Sequence, residues 1–178
     1  MEDRMFRGFV AGLVGGVVSS VLTHLFYFLG FTTLRLSDWA SILMYAHTPP
    51  FSLEEHVFST LIHICFCGAI GSVFAYFLLM VTSRMIYFKG WVLGTTPYFL
   101  VYLFTTFFQI PGTVPTPFNT ALSNYITSSI FAIVMAHSLK VLDQAIIQHR
   151  SPLELLAHPA AKRTDEETSR CPLDNDEA

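Results

Sequence analysis

Seven histidines, three cysteines and a short run of uncharged polar residues carry most of the chemistry available to this 178-residue chain. His56, Thr60, His63 and Cys67 recur at i, i+4, i+7 and i+11, one face of a helix, with His24 elsewhere on the same side of the molecule. Imidazole and thiolate are ligands for zinc or copper, so His24, His56, His63 and Cys67 form a candidate metal set. Against this, two histidines four apart with a glutamate between them, as in known zinc motifs, do not occur here. The competing expectation is that these side chains are satisfied polar groups. Asn119, Thr120, Ser123, Asn124 and Thr127 form a second constellation, a polar arc on one helical face that suits either interhelical hydrogen bonding or a small polar pocket.

The remaining candidates have structural readings. Glu54 and Glu55 resemble a carboxylate pair, but Ser52 through Glu55 is a capping box that starts a helix. Cys65, Cys67 and Cys171 supply no disulfide framework and read as free thiols. There is no phosphate-binding loop, nucleophile elbow or dinucleotide fingerprint, so no enzymatic activity, catalytic residue or cofactor is expected.

The elements that hold these residues follow from charge spacing. The chain is 52% hydrophobic and 13% charged, about half the charge of a soluble domain. Its net charge of -3 gives no reason to expect nucleic acid as a partner, and seven acids against four bases after His149 account for all of it. A charge at the centre of a spanning helix costs about 2.5 to 3.5 kcal/mol, so long uncharged intervals mark spans. Between Arg7 and Arg35 lie 27 uncharged residues, between Glu55 and Arg84 lie 28, and between Lys89 and Lys140 lie 50. The last interval is interrupted by Pro111, Gly112, Pro115 and Pro117 and reads as a hairpin.

The expected fold is therefore an all-α integral membrane four-helix bundle, residues 1–149, with spans at about 8–34, 57–83, 90–110 and 117–142. Thr116 is the expected N-cap of the last span. The first span is too long an apolar run for a cleaved leader and reads as retained. Residues 37–47 place Trp39, Ile42, Leu43 and Ala46 on one face, an amphipathic helix expected to lie flat on the outer surface. Ser37 is its expected N-cap, with Asp38 favouring the helix dipole. Residues 150–178 are polar and acidic and read as a disordered cytoplasmic tail.

Arg4, Arg7, Arg84, Lys89, Lys140 and Arg150 flank one side and Arg35 alone the other, which puts both ends in the cytoplasm. Arg84 and Lys89 are expected to snorkel to the inner surface. Gly8, Gly12, Gly16 and Ser20 form a small-residue stripe in span one, and Gly68 and Ser72 one in span two. Such stripes bring helices close, within the chain or as the seam of a homodimer.

Lys89, Gly90, Trp91 and Gly94, followed by an aromatic-rich helix, a proline-containing short loop and a fourth span with a polar start, resemble the small bacterial four-span membrane proteins of the YqhR type. The resemblance covers span order and the later part of the membrane domain. It implies a multi-pass protein of the bacterial inner membrane but supplies no functional residues. Lipid is the expected environment, and a structural or accessory, partner-binding role is the expected function. The alternative is a small transporter, channel or metal-binding protein with a polar pocket near the outer face.

Overall fold

The computed structural model describes residues 2–80 and 85–157, with side chains from 4 to 145 within those limits. Arg84, Cys171 and the tail from 158 lie outside the described residues. The chain divides into two compact units, Met1–Leu142 and Asp143–Ala178, and all packing below belongs to the first. Five helices follow in order: α1 Glu2–Phe28, α2 Leu36–Tyr45, α3 Leu53–Met80, α4 Ile86–Phe107 and α5 Phe118–Ala157. No strand occurs among the described residues.

Three helical stretches are long and apolar enough to cross a membrane: Arg4–Phe28, Leu53–Met80 and Phe118–Ala145. At 22 residues α4 extends about 33 Å, long enough for the same task. It is less apolar because Thr95, Thr96, Pro97 and Tyr98 interrupt it. The surface is apolar in the manner of a lipid-facing bundle, since Val17, Val21, Leu61, Val73, Phe99 and Leu103 are all exposed.

Backbone geometry ends the helices earlier than charge spacing predicts. α1 closes at Phe28 rather than 34, because Gly30 adopts φ 73° and the N–H groups of Phe31 and Gly30 donate to the carbonyls of Phe26 and Tyr27. That is a Schellman closure. The end of α4 repeats it with Gln109 at φ 49°, Ile110 N–H donating to Thr105 and Gln109 N–H to Thr106. The expected cap of α5 is displaced as well. Thr116 Oγ1 donates to the Thr113 carbonyl instead, and Pro117 precedes the first helical residue, Phe118. At its far end α5 stays helical to Ala157, past the boundary at 150 set by composition.

Small residues set the packing. A Cβ built on Gly8 falls 2.6 Å from the Gly71 carbonyl oxygen, one on Gly12 falls 2.9 Å from Gly68 Cα, and one on Gly16 falls 2.8 Å from Cys67 Cβ. The numbers rise along α1 as they fall along α3, so the two helices are antiparallel and nearly touch at the backbone. Ser72 Oγ donates to the Met5 carbonyl across this seam at 3.2 Å. The stripe expected to serve either the chain or a homodimer is thus filled within the chain, although Ser20 lies beyond this seam with its hydroxyl unpartnered. Gly15 faces Phe131 of α5, while Gly90 and Gly94 of α4 receive Ala136 and Ala132 of α5. The core between these seams is Ala11, Phe74, Ala75, Phe131, Met135 and Leu139.

Candidate functional site

At the end of the bundle that carries α2, the polar groups are organised around Asp38. α2 begins at Leu36, so Arg35 rather than Ser37 is its N-cap and Asp38 is the third helical residue. The Asp38 carboxylate accepts the Arg35 backbone N–H at 2.8 Å and its Nε–H at 3.2 Å, both on Oδ2. Its other oxygen, Oδ1, lies 3.5 Å from His56 Nδ1 of α3. The side chains are 5% and 12% exposed for Asp38 and Arg35, so this is a buried ion pair. The Arg35 guanidinium also sits 4.4 Å over the Tyr27 ring. His24 of α1 completes the group, its ring centroid 6.4 Å from that of His56. His24 Nδ1 donates to the Ser20 carbonyl at 2.7 Å, which fixes the proton on that nitrogen in the neutral ring.

This arrangement splits the expected apolar face of α2. Ser37, Asp38 and Ser41 face inward with Trp39 and Ile42, whereas Leu43 and Ala46 are exposed. Ser41 Oγ donates to Ser59 Oγ of α3 at 2.7 Å, fixing the inward polar face to the bundle. The helix therefore docks through the Ser41–Ser59 hydrogen bond and through Trp39 and Ile42, which pack against Phe51, Val101 and Tyr102.

The polar arc of α5 is consumed in the same way. Thr120, Ser123, Asn124 and Thr127 are buried, while Asn119 is exposed and does not join them. Thr120 Oγ1 accepts the Thr33 N–H at 3.1 Å. Asn124 Nδ2 donates to the Tyr102 hydroxyl at 3.2 Å and to the Leu34 carbonyl at 3.4 Å. Ser123 and Thr127 donate to backbone carbonyls within α5. These residues stitch α5 to α4 and to the α1–α2 connection. None of the five lines either of the two cavities described below.

Where α3 and α4 diverge, two cavities open. The first, about 310 Å³, is roofed by Trp39, Leu43 and Met44 of α2 and walled by Phe66, Pro97 and Tyr102. The second, about 590 Å³, lies farther along the same cleft between Val73, Phe77, Phe88 and Leu93, with Lys89 at its end. Lys89 is 8% exposed, so it does not snorkel out as expected.

The candidate metal set is divided by this geometry. His24 and His56 belong to the Asp38 cluster, whereas His63 and Cys67 line the first cavity, with Nε2 and Sγ 3.8 Å apart. Sharing a helical face does not bring side chains together, since the eleven residues from His56 to Cys67 span about 16 Å of helix and zinc bonds are about 2 Å long. Among the described residues, no three of His, Cys, Asp and Glu converge on a metal position. Arg35, Asp38, Ser41 and Ser59 were not anticipated as one cluster. The available signal was that Arg35 and Asp38 are the only charged residues between Arg7 and Glu54.

No family model, curated protein or solved structure matches the chain.

Proposed function

We propose that this chain is a four-span protein of the bacterial inner membrane, both ends cytoplasmic, that binds an apolar molecule drawn laterally from the bilayer in an accessory, non-catalytic role. The observation that carries this reading is the pair of cavities between α3 and α4, mostly apolar in surface with His63 and Cys67 among the lining of the first, and roofed by a helix that Ser41 hydrogen-bonds to α3. Concave, mostly apolar sites of 300 to 1,000 Å³ are where small ligands bind. In a bilayer, the molecules that reach such an opening are themselves apolar or amphiphilic.

Treating α4 as a fourth span is supported by its partners on α5. Tyr87 meets His137 at 3.2 Å, Trp91 donates to Ser129 at 3.2 Å, Tyr98 donates to the Ala121 carbonyl at 2.9 Å, and Asn124 donates to Tyr102. This ladder keeps α4 antiparallel to α5 along its length, so a membrane crossed by α5 is crossed by α4 as well. A binding role rather than a conducting one is supported by Thr120, Thr127 and the Asn124 amide N–H being engaged with protein, with only Asn124 Oδ1 of the arc left buried and unpartnered.

The experiment is retention of an apolar molecule after exhaustive detergent exchange, read by mass spectrometry of an organic extract. Wild-type protein retains a stoichiometric species, and Val101→Phe, which fills the first cavity, loses it. Retention of nothing by the wild type, or equal retention by a folded Val101→Phe protein, overturns the reading.

A further inference from the structure

The two cavities adjoin along one groove between α3 and α4, with Phe66, Ile70 and Pro97 lining both. Lys89 and Tyr102, which line opposite ends, are thirteen residues apart on α4, or about 20 Å. One leaflet of hydrocarbon is about 15 Å deep, so the groove has the length of an acyl chain rather than of a compact ligand. Its chemistry is asymmetric. Apart from Lys89 at one extremity, the residues lining the second cavity are apolar except for Thr96. A cation at the end of a hydrocarbon slot between helices matches an anionic headgroup joined to a chain.

We propose that this groove holds one anionic phospholipid from the leaflet flanking Lys89, with the phosphate level with the Lys89 ammonium and one acyl chain running past Ile70 to end beneath Trp39. The assignment rests on the lateral-binding reading above and narrows it to one class of occupant. Pro97 suits the path, because it lines both cavities and its missing N–H leaves the α4 helix locally open to a bend on that side.

The two tryptophans allow a direct test, since Trp39 is 3% exposed and lines the first cavity. Lipid surrounding the protein does not reach its indole, whereas a chain inside the groove does. In the Trp91→Phe variant Trp39 is the sole tryptophan. This variant is reconstituted in phosphatidylcholine and titrated with phosphatidylglycerol or phosphatidylcholine brominated near the chain end. Saturable quenching of Trp39 is expected, with phosphatidylglycerol preferred about fivefold, the factor that one basic residue gives at an anionic surface. Lys89→Gln abolishes the preference and Lys89→Arg keeps it. Ile70→Phe, which narrows the junction, removes quenching by both lipids.

Quenching that rises linearly with brominated lipid and ignores headgroup, or a preference unchanged in Lys89→Gln, overturns the proposal. An impermeant maleimide directed at Gln109→Cys, in a background without Cys65, Cys67 and Cys171, separates this failure from that of the four-span reading. If Gln109→Cys is labelled from outside while quenching fails to saturate, the lipid assignment falls alone. If it is inaccessible from outside, the four-span reading falls and takes the lipid assignment with it.

Discussion

Asp38 is the residue on which the α2 end of the bundle turns. Its carboxylate is buried and satisfied chiefly by Arg35, so removing the guanidinium leaves a charge in a poor solvent. Arg35→Gln is expected to destabilise the protein by about 3 kcal/mol, measured by thermal unfolding in detergent. The double replacement Arg35→Met with Asp38→Leu is expected to cost less than Arg35→Gln alone, because no unpaired charge remains. His47 behaves differently, being exposed in the loop between α2 and α3. The Thr48 carbonyl, first, and the Glu55 carboxylate, second, both favour its protonated form and raise its pKa above the usual 6.5. The stabilisation from this contact is fully present below pH 6.5 and is lost as pH rises through the higher folded value. NMR titration of the imidazole checks this, with Glu55→Gln expected to lower the midpoint. Spacing alone revealed the Ser52–Glu55 capping box, in which Ser52 N–H donates to Glu55 at 2.7 Å and Glu55 N–H to Ser52 Oγ at 3.3 Å. It did not reveal the Asp38 cluster, because nothing local says that the polar face of α2 turns inward.

At the scale of elements, the absence of charge located the helices and left their ends imprecise. Burial of ionised groups is costly along a whole span, so charge-free intervals are robust. Termination instead depends on single residues entering the left-handed region, as Gly30 does for α1 and Gln109 for α4. Gly30 is a legible stop signal, whereas glutamine is not. A non-glycine residue there costs roughly 1 kcal/mol, so Gln109→Gly is expected to raise stability by up to about that amount. The α1–α3 seam makes the opposite prediction. Gly12→Ala pushes a methyl group into the Cys67 carbonyl and Gly68 Cα and is expected to cost about 1–3 kcal/mol, while Val14→Ala, at an exposed position of the same helix, is nearly neutral. Both series are read as shifts in unfolding midpoint in one detergent. The small-residue stripes were legible because helices in lipid approach through glycine, whereas their antiparallel register is read from the contacts of Gly8 with Gly71 and Gly12 with Gly68.

The whole molecule shows why the cavities were less legible than the helices. Its groove lies between α3 and α4, which touch where Phe74 approaches Gly90, and a gap between helices is a property of their packing rather than of any residue in it. Phe66, Ile70 and Pro97 look in sequence like ordinary lipid-facing or core positions. Their shared role appears only when α4 is held on α5 by its hydrogen-bond ladder and α3 is held on α1 by the glycine seam, leaving a cleft between the two pairs. α2 then closes the top of that cleft, fixed by the Ser41–Ser59 hydrogen bond.

All of this requires the α3–α4 face to meet hydrocarbon, and hence α4 to cross the bilayer. Fusing a reporter that is active on only one side of the membrane after Gln109, after Ala178 and before Met1 tests it most directly. The account predicts activity outside for the fusion after Gln109 and inside for both ends. A fusion after Gln109 that reports from the same side as Met1, or ends that report from opposite sides, contradicts it.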